Sequence, residues 1–265
     1  MHVHWIDQYR SGDSLIHQLD ARVKLVLAIA YIIVVSLTPM GAWFAYGMLF
    51  ALAMMATLVS GLGLSWVQRR ALVAIPFALA AITIIFTTDG PVVFALSLGS
   101  WQLEATEPGL VRFISIVIKS WLSVQFAVIL AGTTPFSDLV AAMRGLRFPR
   151  ILVAIVSFMW RYVFVLVDEV VRLRRAREAR SAVLPGLKGG GTIPWRARVV
   201  GGMAGNLFIR SYSRSERIYQ AMAARGYQGE LRTLALPQLH TIDWGVAAAV
   251  AGYLAIVLAV GIILR

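Results

Sequence analysis

Five stretches of this chain run apolar for close to the 20 residues or so that a helix needs to cross the hydrocarbon core of a bilayer. They are Val23–Met40, Ala42–Leu62, Ala71–Phe86, Leu110–Ala131 and Ile242–Ile263. A backbone in lipid must satisfy its own hydrogen bonds, so each is read as a helix. With 59% hydrophobic residues and 14% charged ones among 265, the chain carries more apolar surface than a soluble core of this size can bury. The expected fold class is all-α: a polytopic helical membrane protein with about five transmembrane helices and long cytoplasmic coupling helices.

Local chemistry sets the ends of the spans. Asp20 is suited to N-cap the first, with Lys24 at its cytoplasmic edge, and the turn Pro39–Gly41 leads to the second, where Trp43, Phe44 and Tyr46 suit an interfacial belt. The short connection Trp66–Arg70 is basic and is placed inside. Pro76 within the third span is tolerated if neighbouring helices satisfy the freed carbonyl. The loop Thr87–Pro108 holds Asp89, Glu104 and Glu107 and no Lys or Arg, which places it outside.

The net charge of +12 on so apolar a chain points to basic cytoplasmic loops rather than a nucleic-acid groove. Met1–Lys24 is polar and mixed in charge, unlike a signal peptide. The absence of cysteine excludes disulfides and thiolate metal sites. Ile151–Val167 is apolar enough for a further crossing, but crossing there carries Arg172, Arg174, Arg175, Arg177 and Arg180 outward. An Arg near a helix centre costs roughly +2.5 to +3.5 kcal/mol, so Arg161 counts against a crossing without forbidding it. The segment is therefore expected to lie against protein or the inner membrane face. The resulting organisation is 1–131 with transmembrane helices 1–4, 132–240 as a cytoplasmic coupling region, and 241–265 as the last transmembrane helix.

Within 132–240, Ser137 is expected to cap a short helix that stops at Gly145, and Pro149 to start a long one. Glu169 and Asp168 precede Arg172, and Arg174 precedes Glu178, at spacings that juxtapose opposite charges on a helix. Pro185–Gly191 breaks the helix. A second helix is expected near Met203–Arg225, ending at Gly226 in a left-handed cap with Arg225 at the negative end of the dipole. The pair is expected to form a V.

Three segments, Asp13–Leu25 (DSLIHQLDARVKL), Thr133–Arg150 (TTPFSDLVAAMRGLRFPR) and Arg210–Gly229 (RSYSRSERIYQAMAARGYQG), resemble the transmembrane T component of energy-coupling factor transporters, most nearly the CbiQ-type cobalt and nickel group. The resemblance covers nearly the whole chain. It implies two Ala-Arg-Gly-like motifs at the tips of coupling helices, which insert into grooves on two ATP-binding cassette (CbiO-like) ATPase subunits. In this sequence these are Ala179, Arg180 and Ser181, and Ala224, Arg225 and Gly226; Ser181 stands where the pattern often has Gly. It further implies a substrate-binding S component (CbiM-like, with a CbiN-like small subunit as an optional member), no cofactor in this chain because ATP is bound by the partner subunits, and a multi-pass inner-membrane location with the N-terminus and coupling region cytoplasmic.

The residue chemistry agrees with that role. Small residues beside an Arg let a helix end approach a partner groove, and guanidinium is a planar, permanently charged fork for carboxylates or carbonyls. The plainer reading is that Arg180 and Arg225 hold helix ends at the membrane surface. His2 and His4 have no visible third ligand and read as a polar terminus rather than a metal site. Lys119 lies inside the fourth span, where it hydrogen-bonds within the bundle or contacts the S component; Arg112 snorkels. Met159, Trp160, Tyr162 and Phe164 read as packing. No Gly-x-x-x-x-Gly-Lys-Ser/Thr phosphate loop, HExxH or paired carboxylates occur in the spans, so the chain is read as no enzyme. The substrate reading is cobalt or nickel, with biotin or another vitamin as the alternative, and a stand-alone channel or secondary carrier as the rival class.

Overall fold

The computed structural model describes residues 8–98, 101–180, 192–229 and 239–263. Its chain divides into two compact units, a bundle formed by 2–145 with 236–265 and a helical unit formed by 146–235.

The bundle begins with the single-turn helix α1 (Leu15–Gln18), capped by Ser14, whose hydroxyl accepts from the His17 N–H. Helix α2 (Ala21–Leu37) starts where expected, because the Asp20 carboxylate accepts from the Arg22 N–H at 2.7 Å and satisfies a first-turn donor. Helix α3 (Trp43–Ser60) follows a turn at Gly41, whose φ of +83° suits glycine alone at low cost. That turn is pinned by the Ser115 hydroxyl, which accepts from the Gly41 N–H at 3.1 Å, and by the Tyr46 hydroxyl, which donates to the Pro39 carbonyl.

The core sits where α2, α3, α7 (Glu107–Thr133) and α11 (Thr241–Ile263) meet. Tyr31, Val35, Leu49, Ala53, Leu122, Leu254 and Val257 are buried there. Tyr31 stacks on Phe126 at 4.1 Å between ring centroids and donates its hydroxyl to the Leu49 carbonyl at 3.0 Å. Tyr253 donates likewise to the Met48 carbonyl. Both contacts meet the requirement that a polar atom away from water find a partner.

The third span departs from the single straight helix expected over Ala71–Phe86. It is built as α4 (Leu64–Ala71), α5 (Ala74–Leu79), a 3₁₀ turn (Ala80–Thr83) and α6 (Ile84–Thr87), and the two halves meet at 47°. Pro76, in the first turn of α5, has no N–H to give to the Leu72 carbonyl and its ring opposes that turn, which accounts for the interruption between α4 and α5. On α4, the Arg70 guanidinium lies 3.9 Å from the centre of the Trp66 ring, and Arg10 approaches the same ring at 4.8 Å. The loop expected over Thr87–Pro108 contains an antiparallel pair, β1 (Val92–Leu98) and β2 (Trp101–Thr106), in the register Ala95 to Glu104. It leads into α7, capped by the Thr106 hydroxyl accepting from the Gly109 N–H.

Helix α8 (Phe136–Gly145) packs on α2. Its first N–H groups are answered by the Pro135 carbonyl, so Ser137 is inside the first turn rather than at the cap. The left-handed residue after it is Arg147, with φ of +61°, and not Gly145. Gly145 has another use: a Cβ there would run into the Arg22 guanidinium.

Among the described residues, four helices are long and apolar enough to cross a membrane, Trp43–Ser60, Glu107–Thr133, Arg150–Arg180 and Thr241–Ile263, and the bent pair brings the number to five. Helix α2, at 17 residues, spans about 26 Å at 1.5 Å per residue.

Candidate functional site

In the 146–235 unit, α9 (Arg150–Arg180) and α10 (Ile193–Ala224) carry the sequence-predicted tips. Pro149 accepts from the Val153 N–H and so begins α9 as expected. Helix α10 begins about ten residues before the expected Met203, at the N-cap Thr192, because Pro194 sits in the first turn, where no amide donor is needed.

The end of α10 has the geometry its sequence predicts. Gly226 takes a φ of +78°; its N–H donates to the Ala223 carbonyl and the Tyr227 N–H to the Met222 carbonyl, each at 3.0 Å. This pair of bonds is a Schellman cap. Arg225 is the C-cap residue, exposed, at the negative end of the helix dipole. Ala179 and Arg180 are the last two residues of α9 and are also exposed. Among the described residues, neither Arg180 nor Arg225 is held by a carboxylate. Ser181, the turn 185–191, His2 and His4 lie outside the described residues.

The two helices are linked near their middles. Glu169 accepts from Arg172 at 2.6 Å on its own helix and from Arg210 of α10 at 3.1 Å, and Arg174 reaches Glu178 at 3.6 Å. Sequence spacing identified the two pairs within α9. It missed Arg210, whose partner is 41 residues away. The contact also replaces the expected V: the helices run past one another instead of diverging from a joint at one end. Arg180 borders a groove with Trp195, near the start of α10, whereas Tyr227, just beyond its end, contacts Phe158 of α9 at 6.3 Å. The two tips therefore lie at opposite ends of the pair. Counting outward from Glu169 and Arg210 at 1.5 Å per residue, they are separated by up to roughly 40 Å.

Between the tips, the flanks of the pair are apolar. A groove of about 690 Å³ is lined by Ile155, Phe158, Tyr162, Ile218, Tyr219 and Met222 among others. Ile151 and Phe208, each 72% exposed, and Ile193, 83% exposed, add to it an apolar surface too large for an isolated soluble domain. Met159 is 60% exposed on the same unit.

Lys119 lies in the other unit. Its ammonium donates to the Ser36 carbonyl at 3.1 Å and to the Thr38 carbonyl at 2.5 Å, closing the end of α2. Among the described residues no group of three or more His, Asp or Glu is placed to hold a metal ion.

Comparison with known proteins matches residues 12–234 to the CbiQ family, described as cobalt transport protein. The chain is 28% identical over 251 residues to the energy-coupling factor transporter transmembrane protein EcfT of Lacticaseibacillus paracasei, covering 90% of this chain and 91% of the relative. It is 26% identical over 262 residues to that of Thermosediminibacter oceani, covering 95% of each. For the protein of the same name from Lactococcus lactis subsp. cremoris the identity is 25% over 232 residues, with 84% of each chain covered. These relatives are named as membrane components of a transporter and not as enzymes. The family match takes in α2, the whole bundle as far as α8, and both arginine-tipped helices, and the chain belongs to the CbiQ family.

Proposed function

We propose that this chain is the coupling subunit, or T component, of an energy-coupling factor importer. Arg180 and Arg225 dock in two ATPase subunits, and the apolar flanks of α9 and α10 hold the substrate-binding component. The observation that carries this reading is the placement of two exposed, helix-terminal arginines at opposite ends of one helical pair, a geometry that serves two motor subunits at once. At such an end an Arg forks toward a partner's carboxylates or carbonyls without a competing partner of its own.

The family description supports cobalt, and with it nickel, as the cargo class. Selectivity would reside in the S component, so a vitamin such as biotin is the other outcome to be tested. The orientation follows from charge. Sixteen of the 25 Lys and Arg residues but five of the 13 Asp and Glu fall in 146–235, which favours the cytoplasmic side for this unit, with Ile151–Val167 against protein or the inner leaflet. The 132–240 segment then serves as the coupling region, between helices 1–4 of 1–131 and the closing helix of 241–265. Lys119, already committed to the end of α2, serves the bundle in this reading, and an S-component contact would be additional.

Co-purification followed by uptake in liposomes tests the proposal. The intact complex should bring down ATP-binding cassette subunits and import its cargo on ATP addition. Arg180→Ala or Arg225→Ala should depress uptake and the double change nearly abolish it, with the protein still in the membrane. Transport by the purified chain alone would favour a carrier, and full uptake by the double variant would remove the coupling role.

A further inference from the structure

We propose that the first turn of α2, Asp20 to Lys24, is a positioning site for energy coupling, clamping within the bundle the two elements that flank the 146–235 unit in the chain, α8 and the start of α11. The inference rests on the coupling role proposed above and assigns residues that the arginine tips do not include.

In the chain, the 146–235 unit is preceded by α8, which ends at Gly145, and followed by α11, which begins at Thr241. Both elements meet α2. On the outgoing side, α8 comes so close that a side chain at Gly145 would displace the Arg22 guanidinium, which glycine leaves in place. Lys24 secures the same side: its ammonium, 9% exposed, donates to the carbonyl of Thr133, the last residue of α7, at 3.3 Å and to that of His17 at 3.4 Å. Asp138 of α8 attracts it electrostatically, as do Asp20 and Asp243.

On the returning side, Asp243 is 3% exposed and divides its carboxylate between two segments. One oxygen accepts from the Asp20 N–H at 3.0 Å and the other from the His240 N–H at 2.8 Å. One side chain thereby caps the start of α11 and ties it to the start of α2. Asp20 completes the circuit by capping its own helix through the Arg22 N–H.

Three buried charged residues are a costly way to hold helices together, since apolar residues of similar volume serve stability as well or better. What such a set supplies is a fixed geometry that breaks sharply when one member is lost. It lies on the bundle elements that precede and follow the 146–235 unit in the chain, α8 and α11.

The test uses the complete complex reconstituted in liposomes, with ATP hydrolysis and uptake measured on the same vesicles for wild type, Asp243→Asn, Gly145→Ala and Arg225→Ala. Asp243→Asn removes the charge with little change in size. Gly145→Ala adds one methyl group and removes no polar group. Both should assemble with the ATPase subunits and hydrolyse ATP as wild type does. Uptake per ATP should fall roughly twofold to thirtyfold, the span of coupling effects carried by such networks. Proportionate loss of hydrolysis and uptake, an unchanged ratio, or failure of both variants to assemble would reduce the cluster to a structural one and overturn the proposal. Arg225→Ala separates the two ideas: if it leaves both ATPase affinity and uptake unchanged, the coupling role itself fails; if it lowers them while the clamp variants keep their ratio, only the clamp fails.

Discussion

Gly226 sits at a φ of +78° with open space around the position of a missing Cβ, so a substitution there is penalised by backbone conformation and not by crowding. A left-handed residue with a side chain costs roughly 1–2 kcal/mol, and the two bonds of the Schellman cap depend on that conformation. Gly226→Ala should fray the last turn of α10 and weaken ATPase binding, with the bundle's thermal stability unchanged in detergent. Arg225→Ala should act differently, leaving α10 folded. An anchor at an interface is worth about 2 kcal/mol or more, which corresponds to at least roughly thirtyfold weaker binding, measurable by titrating purified ATPase subunits. In the core, Leu49 is fully buried against Tyr31 and Leu122, and Leu49→Ala should cost about 2–5 kcal/mol, read as a lowered unfolding temperature with the ATPase affinity retained. The three substitutions thus separate cap, contact and core.

Element by element, what could be read from the sequence is what adjacent residues decide. Asp20 and Gly226 announce their caps through their own side chain or lack of one, and the apolar runs of α3, α7 and α11 fall within a few residues of their expected ends. The third span was harder because one proline decides it. Tolerance and breakage at Pro76 depend on what the neighbouring helices offer, which no window of sequence contains. Helix α10 also runs through Gly201 and Gly202, ahead of its expected start, because helix propensity at about 1 kcal/mol per glycine is a weak prior. The candidate site divides the same way: its tips were legible as motifs, but Asp243 meets Asp20 across 223 positions, and Arg210 meets Glu169 only once two helices are side by side. Glu169 is shared by both helices, its side chain 14% exposed against 62% for Arg210. With the arginines this exposed, the pair contributes no more than about 1 kcal/mol, so Glu169→Ala should leave the protein folded. It should instead broaden the distance distribution between spin labels on Ala179→Cys and Ala224→Cys, and an unchanged distribution would show that apolar packing alone sets the separation of the tips.

At the scale of the whole molecule, the proposed role stands or falls on which side of the membrane the helical pair occupies. Arginines at the ends of α9 and α10 meet ATPases only if they share the cytoplasmic face with them. Excess Lys and Arg in 146–235, and their absence from Thr87–Pro108, argue that the β1–β2 hairpin faces outward while the pair faces inward. Because the chain has no cysteine, one introduced thiol reports its own position without background. Asp89→Cys, at the exposed lead into the hairpin, should react with a membrane-impermeant maleimide in intact cells. Arg217→Cys, exposed on α10, should react only after the cells are opened. A single crossing between these two positions, that of α7, is what a non-crossing α9 requires. If Ile151–Val167 crossed instead, the long charged end of α9 would emerge on the outer face, and Arg217→Cys would be labelled in intact cells. That result would strand both tips away from the ATPases and would refute the coupling role, whatever the family resemblance.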